Sequence, residues 1–375
     1  MTEKNIRLDA VFPARQIIVK AGTRLLIDRA SIARLVSGIA ALRKSGRQVL
    51  LVTSGAVGMG METLKVARRP RELARIQALA AVGQTRLMSI YSEECAKYGF
   101  AAAQLLLTAA DLRDRKRYLN VMNCVNSLWE SGVLPVVNEN DSTSVAELKF
   151  GDNDTLAGML GSLTGSRLTV LLTTEDGLRG RDAAGNLAER ISVVPRVTAA
   201  IKALAGGTDD AKFSIGGMAS KLRAAEIVTG AGEYLWIADG RKEGILEAIL
   251  RGEDTGTLFL PSGRRLPGHK RWLRFFSRVG GRITADAGAV RALTASGRSL
   301  LPSGVIAVDG EFDRGDTVEI VDENGRPVAR GLVNFSADDC RRIRGCKSSE
   351  IHRILGADSD EELVHRDHLT LLRES

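Results

Sequence analysis

The sequence predicts an α/β fold, in which helices sandwich a parallel-rich β-sheet, followed by a smaller β-rich domain. Between Gln16 and Leu260, short apolar runs alternate with longer amphipathic stretches, which is the pattern of strands and helices in turn. Runs such as QVLLVT and RLTVLLT are apolar at consecutive positions, as strands covered on both faces must be. After Pro261 the segments become shorter and are separated by Gly, Pro and Asp-Gly, which favours strands joined by tight turns.

The elements of the first domain can be assigned in order along the chain. The predicted strands are QIIVK, QVLLVT, FAAAQLLLT, GVLPVVN and RLTVLLT. The amphipathic stretches between the first four strands are predicted to be helical and run from Ser31 to Ser45, from Arg71 to Tyr98 and from Asp111 to Ser131. In sheets of this kind, ligands bind beyond the carboxyl ends of the strands, so the residues that follow each strand are the candidates for a site.

The domain boundaries follow from a change in composition. The segment PSGRRLPGHKRWLRFFSRVGGRITA contains seven Lys or Arg residues and no acid, and Pro, Gly and Ser mark its start. We therefore predict a first domain over residues 14–262, a linker over 263–278 and a second domain over 279–375. The second domain is expected to contain a helical stretch from Ala337 to Leu355. The polar first dozen residues of the chain are expected to be loose.

Composition argues against several classes of protein. The chain has 375 residues, 44% of them hydrophobic, which is ample material for a buried core. No apolar run approaches the ~20 residues of a membrane helix, and the start lacks the apolar middle of a signal peptide, so we expect a cytoplasmic protein with no membrane partner. The four cysteines form no CxxC pair, which argues against a zinc knuckle or redox motif. The net charge of +8 is spread along the chain and suits small anionic ligands at least as well as RNA.

Two glycine-rich turns follow predicted strands. Lys20 and Gly22 come after the first strand, and Ser54, Gly55 and Gly58 come after the second. Glycines let backbone amides approach an anion closely, so Gly22 and Gly55 could cradle a phosphate, although they could equally serve only to allow tight turns. The GxxxxGK[ST] motif of P-loop enzymes is missing from the sequence.

A group of acids and amides stands out in this basic chain. The segment PVVNENDSTSVAELKFGDNDTLAGML, residues 135–160, surrounds one Lys with five acids. It is not a calcium loop, because the fifth and twelfth positions counted from Asp152 are Leu156 and Leu163. Farther on, SIGGMASK places Lys221 one turn into a predicted helix. Together with Lys20 it could flank a transferring phosphoryl group, or it could be a solvated helix residue.

Together these motifs resemble the glutamate 5-kinase family, enzymes of the amino-acid-kinase fold that begin proline synthesis. The matching segments occur in the order found in the family: VKAGT, VTSGAVGMG, LAAVGQ, LLLTAADLRDRKRYLN, the acid-rich segment and SIGGMASK. The tail resembles the PUA domain attached to many members, with GRITADAGAVRAL, GRSLLPSGVIAVDGEFDRGD and VHRDHL. The resemblance runs from Gln16 to about Leu371.

The resemblance implies a phosphoryl transfer from ATP to the γ-carboxylate of L-glutamate. By this similarity, Lys20 and Lys221 stabilise the phosphoryl group and Asp154 positions them, while Mg²⁺ is bound mainly through the ATP. All four histidines lie outside the first domain, so we expect no histidine base there. The family also implies a homo-oligomer, and feedback inhibition by proline at or overlapping the glutamate site.

The resemblance also divides the remaining site residues between the two substrates. Asp141 is expected to meet the α-ammonium of glutamate, and Ser54 and Asn153 are expected to meet its carboxylates. The residues expected to bind ATP are Lys20, Thr173, Thr174, Ile215, Gly216, Gly217, Met218, Ala219, Ser220 and Lys221.

The chain departs from the family pattern on the ATP side. It has Thr174 where relatives usually carry Asp, and Ser214 and Ile215 where they carry Gly-Thr. These departures bear on nucleotide affinity more than on the reaction, because both lysines and the glutamate-side residues are intact.

Two other interpretations stay open. The chain could be an RNA-binding PUA protein with a lapsed kinase site, or a related amino-acid-kinase-fold enzyme with another carboxylate substrate. The predicted linker interleaves arginines with Trp272, Phe275 and Phe276, as an RNA-binding strip would. However, residues 263–375 carry 19 Lys or Arg against 17 Asp or Glu, which favours aromatic residues packed at the domain junction over RNA binding.

Overall fold

The computed structural model describes residues 3–143, 152–181, 186–205, 217–262, 265–356 and 359–372. The chain divides into two compact units, one made of Met1–Leu112 and Lys116–Arg265 and the other of Arg113–Arg115 and Leu266–Ser375. Among the described residues, no helix combines the length and the apolar character that crossing a bilayer requires.

The first unit is built on one large sheet. Its described strands are β1 (Gln16–Ala21), β2 (Gln48–Val52), β3 (Ala102–Leu107), β4 (Leu134–Glu139), β5 (Leu168–Thr173), β6 (Arg179–Arg181), β7 (Leu187–Arg190), β8 (Val193–Val194), β9 (Tyr234–Asp239) and β10 (Thr257–Phe259). Eight of them form the sheet in the order β3-β4-β2-β1-β5-β9-β10-β8, and β6 pairs with β7 separately. Within the large sheet β9 and β10 pair antiparallel, whereas the other neighbours pair in parallel, which confirms the predicted parallel-rich sheet.

Helices connect these strands. They are α1 (Glu3–Val11), α2 (Arg29–Lys44), α3 (Ala56–Thr63), α4 (Leu73–Ala96), α5 (Ala109–Arg113), α6 (Arg115–Glu130), α7 (Asn153–Thr164), α8 (Ala199–Ala203), α9 (Met218–Gly230) and α10 (Ile245–Leu250). The sequence predicts one helical stretch after β3, but the structure divides it into α5 and α6. Helix α7 begins where Asp152 accepts a hydrogen bond from the Thr155 amide at 2.8 Å, and it ends at Gly165, which has φ of 70°.

Strand β1 lies near the middle of the sheet, between β2 and β5. Its residues from Ile17 to Ala21 are all buried, and Lys20 stands opposite Val52 of β2 and Leu171 of β5. Lys20 therefore reaches the carboxyl edge of the sheet at its centre, where ligands of parallel sheets bind. The apolar side chains of β1, β2, β5 and β9 pack with α2 into the core of this unit.

Residues 3–11 form helix α1, so the prediction of a loose start is wrong. Helix α1 buries Ala10 and Val11, and its Arg7 is 3% exposed. The Arg7 guanidinium forms an ion pair with Asp254 at 2.7 Å. The sequence does not show this, because so short and polar a helix is stabilised by tertiary contacts and not by its own apolar pattern.

The second unit contains a mixed five-stranded sheet. Its described strands are β11 (Val279–Ala285), β12 (Val305–Gly310), β13 (Thr317–Val321), β14 (Pro327–Leu332) and β15 (Leu369–Leu371), in the order β12-β11-β13-β14-β15. The helices are α11 (Gly268–Phe275), α12 (Ala287–Ser296), α13 (Ala337–Ile343) and α14 (Ser348–Leu355). A tight turn joins β13 to β14, where Asp322 Oδ1 accepts hydrogen bonds from the amides of Asn324 and Arg326. The predicted helical stretch after β14 is therefore two helices, α13 and α14.

Most of the segment predicted as a linker belongs to the second unit. It forms α11, which packs on β14 and β15. Trp272, Leu273 and Phe276 are buried there. Arg271 is also only 7% exposed. The apolar positions of the segment are those of an amphipathic helix, which its high basic charge obscures in the sequence.

Candidate active site

The buried carboxylate of Asp154 lies at the centre of the candidate active site. Its Oδ1 lies 2.5 Å from Lys20 Nζ, and its Oδ2 lies 2.9 Å from Lys221 Nζ. The three residues come from β1, α7 and α9, and Asp154 is 0% and each lysine 5% exposed. The fold thus brings together, from distant parts of the chain, the three residues expected to act on the phosphoryl group.

Two ammonium groups share one carboxylate in this cluster. Burial alone would raise the pKa of Asp154, but the charges and hydrogen bonds of Lys20 and Lys221 outweigh it and hold this pKa below its ordinary value. Asp154 is therefore ionised at neutral pH, and it holds both ammonium groups within about 3 Å of its two oxygens. Such a desolvated pair of cations is suited to stabilising the oxygens of a phosphoryl group.

The start of α9 lies beside the same carboxylate. The Ser220 hydroxyl lies 2.9 Å from Asp154 Oδ2 and 2.8 Å from the Gly217 carbonyl oxygen. Gly217 precedes the helix, and Met218 and Ala219 begin its first turn. Because α9 has 13 residues, the positive end of its dipole adds to the charge of the lysines at this point.

Gly22 and Gly55, in the two glycine-rich turns, are required for different physical reasons. A Cβ on Gly22 would lie 3.3 Å from Lys20 Nζ, so a side chain there would crowd the ammonium group. Gly55 has φ of 100° and precedes α3, so its left-handed backbone favours glycine. Both turns lie at the carboxyl ends of central strands, β1 and β2, and a contact of either with phosphate stays a prediction.

Ser54 and Asn153, both expected to bind glutamate, contact each other directly. Asn153 Nδ2 lies 2.8 Å from Ser54 Oγ, 2.7 Å from the Thr53 carbonyl oxygen and 2.9 Å from Asn138 Oδ1, and these three acceptors share its two hydrogens. Asn153 Oδ1 is buried and has no hydrogen-bond partner among the described residues. The amide hydrogens of Asn153 are therefore already occupied by the protein, whereas its oxygen is not.

Asp141 lies in a neighbouring cleft of about 220 Å³ at the carboxyl ends of β3 and β4. Its walls are formed by α3, α4, β3 and the residues that follow β4. The residues that line it are Ala56, Ala80, Ala81, Gln84, Thr85, Gln104, Leu106, Glu139, Asn140, Asp141 and Ser142. Asp141 is thus separated from the lysine cluster and placed on a polar wall that a charged small molecule could contact.

The expected ATP residues Thr173 and Thr174 lie at the end of β5. Thr173 is paired with Asp239 of β9, and the Arg241 guanidinium donates to the Thr174 carbonyl oxygen at 2.7 Å. Arg241 also donates to both carboxylate oxygens of Asp239, at 2.9 and 3.0 Å. Burial alone would raise the pKa of Asp239, but its hydrogen bonds and ion pair with Arg241 lower it. An ion pair between Asp239, the last residue of β9, and Arg241 therefore supports the strand end expected to bind the nucleotide.

Several predicted positions lie outside the described residues. Ile215 and Gly216, which are expected to line the ATP site, are among them. Ser214, which departs from the family pattern, and Glu147 of the acid-rich segment also lie outside the described residues.

The sequence analysis missed four residues of this region. Gln84 and Asn138 extend the hydrogen bonds of Asn153 away from the lysine cluster, and Asp239 and Arg241 brace the end of β5. Asp239 could have been predicted, because it ends a strand that pairs in parallel with β5, and the rule that ligands bind at the carboxyl ends of parallel strands had already indicated Thr173. Gln84 has no strand-end signal: it ends the family-like segment LAAVGQ in the middle of the long helix α4, and only the folded chain shows what it contacts.

The chain is similar to known proteins over nearly its whole length. Residues 15–239 match the amino acid kinase family, and residues 281–355 match the PUA domain. A glutamate 5-kinase of Moorella thermoacetica is 45% identical over 99% of this chain and 100% of its own length. A glutamate 5-kinase of Thioalkalivibrio sulfidiphilus is 45% identical over 96% of this chain and 97% of its own. Among solved structures, a carbamate kinase from Giardia lamblia bound to AMP-PNP is 19% identical with a TM-score of 0.48, and it covers 66% of this chain and 99% of its own.

Proposed function

Because this chain belongs to the amino acid kinase family, and within it to the glutamate 5-kinases, we propose that it transfers the γ-phosphoryl group of ATP to the γ-carboxylate of L-glutamate. The products are ADP and γ-glutamyl phosphate, the first intermediate of proline biosynthesis. The observation that carries the assignment to this site is the buried cluster in which Asp154 holds Lys20 and Lys221.

Phosphoryl transfer to a carboxylate requires alignment of the substrates and stabilisation of charge, but it does not require a general base. The γ-carboxylate of glutamate is ionised at neutral pH, so no proton has to leave the nucleophile before it attacks. In phosphoryl transfer, charge is spread over the equatorial oxygens of the transferring group. Lys20 and Lys221 are placed to neutralise that charge, because Asp154 fixes both ammonium groups at one point of the sheet edge.

The positions of the substrates follow from the two sides of this cluster. We place the ATP phosphates against Gly22, Gly217 and the start of α9, where backbone amides and the helix dipole favour an anion. Mg²⁺ enters as part of the MgATP substrate. The nucleoside lies toward Thr173 and Thr174 at the end of β5.

Glutamate lies on the other side of the cluster, toward β2 and β4. Asp141 supplies a carboxylate for the α-ammonium group, and the Ser54 hydroxyl donates to a carboxylate of the substrate. Asn153 differs from the expectation, because its amide hydrogens already go to Thr53, Ser54 and Asn138. Its Oδ1 is therefore better placed to accept a hydrogen bond from a donor group of the substrate than to face one of the substrate's carboxylates.

Three further properties are part of the proposal. The enzyme acts in the cytoplasm, it forms a homo-oligomer, and proline inhibits it at or overlapping the glutamate site. The PUA domain gives a reason to test RNA binding as well. The near balance of 19 basic and 17 acidic residues over 263–375 favours a kinase whose PUA domain is not a dedicated RNA binder.

The test is ADP release from MgATP with L-glutamate, L-aspartate and N-acetyl-L-glutamate in parallel, with hydroxylamine present to trap any acyl phosphate. Glutamate-dependent hydroxamate that is lost in Lys221→Ala supports the proposal. Turnover with another carboxylate would assign the site to a different amino-acid kinase. Absence of turnover with all three, from folded protein, would overturn it and favour the RNA-binding alternative.

A second arm uses a truncated chain to separate the kinase from that alternative. The deletion should begin at residue 266 and not at the predicted boundary of 279, because α11 belongs to the second unit. If the first unit carries the reaction, the chain that ends at residue 265 retains glutamate-dependent ADP release.

A further inference from the structure

Four side-chain amides form a chain of hydrogen bonds beside the candidate glutamate site. Gln84 Nε2 donates to Gln104 Oε1 at 3.0 Å, and Asn138 Nδ2 donates to Gln84 Oε1 at 2.9 Å. Asn153 Nδ2 in turn donates to Asn138 Oδ1 at 2.9 Å. Gln84 and Asn138 are buried, at 7% and 2% exposure, whereas Gln104 at the far end is exposed. The chain thus runs from the surface on β3, through α4 and β4, to the start of α7.

The direction of these hydrogen bonds is fixed by two backbone groups, which have only one polarity each. The Glu139 amide donates to Asn138 Oδ1 at 2.9 Å, so this atom must be an oxygen and the other end of the Asn138 amide must be a donor. The Thr53 carbonyl oxygen accepts from Asn153 Nδ2 at 2.7 Å, which requires a nitrogen there. Each amide of the chain therefore has one orientation that satisfies its neighbours.

This fixed direction decides what the site offers to a substrate. Asn153 cannot present its NH₂ group without breaking its hydrogen bonds to Thr53 and Asn138, so it presents Oδ1, which is buried and has no partner among the described residues. Ser54 Oγ accepts from Asn153 Nδ2 at 2.8 Å, which leaves the Ser54 hydroxyl hydrogen for an acceptor. Ser54 and Asn153 thus offer the substrate one donor and one acceptor, whereas the family resemblance implied that both would donate to its carboxylates.

We propose that Gln84 is a positioning residue for glutamate: it holds Asn138 in place and, through it, Asn153, whose Oδ1 is then placed to accept from the α-ammonium group. Glutamate has a single cationic donor, and a buried amide oxygen without a partner is suited to it. The Gln84 side chain lines the same cleft as Asp141, the carboxylate expected to meet that ammonium group. The inference rests on the proposed function, because it names how that site selects its substrate.

The experiment compares two ligands that differ only in the ammonium group. The Michaelis constant for L-glutamate and the inhibition constant for glutarate, a five-carbon dicarboxylate without an amino group, are measured for wild type and Gln84→Met. Methionine fills a similar volume but removes the acceptor for Asn138 Nδ2. Since leaving a buried polar group unpaired is costly, we expect the constant for glutamate to rise roughly tenfold, which corresponds to about 1.4 kcal/mol. The constants for glutarate and for ATP should change less than about twofold.

A control and a second test variant separate this role from a structural one. Gln48→Met breaks a similar amide pair, Gln16 Nε2 to Gln48 Oε1 at 3.2 Å, at the opposite ends of the strands and should leave both constants unchanged. Gln104→Met removes the exposed end of the chain without disturbing the core, so it should fold even if Gln84→Met does not. It should raise the constant for glutamate about two- to threefold and leave that for glutarate unchanged.

The outcomes distinguish the inference from the proposed function. Parallel changes in the glutamate and glutarate constants, or no change in either, would overturn the role of Gln84 while glutamate kinase activity stands. Lack of glutamate-dependent turnover in the wild type would instead overturn the proposed function and the inference with it. Selective weakening of glutamate binding in Gln84→Met and in Gln104→Met supports the inference.

Discussion

Gly83 of α4 and Gly60 of α3 lie backbone against backbone. A Cβ on Gly83 would lie 2.3 Å from the Gly60 amide nitrogen and 1.8 Å from the Ala56 carbonyl oxygen, so no side chain fits between the two helices. Helix α3 follows the Ser54-Gly55 turn, and Gln84 is the next residue after Gly83. This contact therefore sets the distance between the turn at the end of β2 and the amide chain that leads to Asn153.

Gly83→Ala should destabilise the protein and weaken glutamate binding together. The added methyl group must push α3 away from α4, and overpacking of this kind costs about 1–3 kcal/mol. Urea unfolding should show a lower midpoint, and the Michaelis constant for glutamate should rise. Val82→Ala, at the exposed neighbouring position, is the control and should change neither quantity appreciably. An unchanged urea midpoint for Gly83→Ala would contradict this prediction, because it would show that α3 and α4 can move apart without loss of stability.

Gly22→Ala should impair phosphoryl transfer with little effect on stability. Its Cβ would lie 3.3 Å from Lys20 Nζ, an atom that Asp154 holds in place and that cannot move away freely. We expect kcat to fall on the order of tenfold, because small displacements of a group that stabilises the transition state are costly. Gly58→Ala is the matched control, since a Cβ on this exposed residue of α3 meets nothing within 4 Å. Equal rates for the two variants would contradict the role given to Gly22.

Lys221→Ala should reduce kcat by about 10²–10³-fold, the usual cost of removing one group that stabilises transition-state charge. The expected loss is in kcat more than in the Michaelis constant for glutamate, because the ammonium group acts on the phosphoryl oxygens. Lys202→Ala removes an exposed lysine paired with Glu226 at 2.7 Å and should leave the rate unchanged. A Lys221→Ala enzyme of wild-type rate would exclude Lys221 from the reaction.

Asp154→Asn should destabilise the protein at neutral pH, and this difference should shrink in acid. Breaking a buried ion pair by removing one partner costs about 3–5 kcal/mol, because the remaining charges stay buried. The folded pKa of Asp154 is lowered, so the unfolded chain binds its proton more readily and the stabilisation is fully present above the unfolded value near 4. It is lost as the pH falls through the folded pKa.

Urea unfolding of wild type and Asp154→Asn between pH 6 and pH 2.5 measures this difference. Below the folded pKa, the protonated wild-type carboxyl group is as uncharged as the asparagine amide, so the two free energies of unfolding should converge. A constant difference across this range would mean that the charge of Asp154 does not stabilise the fold.

The cysteine thiols should react at very different rates. Burial raises the pKa of Cys95 to about 11 and that of Cys340 to about 12, whereas Cys124 is exposed on α6. Because the thiolate is the reactive form, Cys124 should react rapidly with a disulfide reagent at pH 8, and the two buried thiols should react only after unfolding. Cys346 is half-buried, so the rapid phase should disappear in the double variant Cys124→Ser/Cys346→Ser. A rapid phase that survives in this variant would show that another thiol is accessible.

Much of the fold could be predicted from the sequence, because the features concerned are local. The consecutive apolar runs of β2 and β5 require cover on both faces, which predicts a parallel sheet between helices. The strand-end rule led to Lys20 and Thr173, and a family pattern led to Asp154 and Lys221. The loose N-terminus was predicted wrongly because the ion pair of the buried Arg7 with Asp254 joins residues far apart in the sequence.

The sequence by itself determined which chemical groups the protein has and at which strand ends they lie. Tertiary structure alone decided how they are arranged: that Asp154 meets both lysines, that α3 packs directly against Gly83, and that Thr53 and Asn138 orient Asn153 as an acceptor. The physical reason is that hydrogen bonds and close packing depend on distances of a few tenths of an ångström between elements. Composition and periodicity carry no information about such distances.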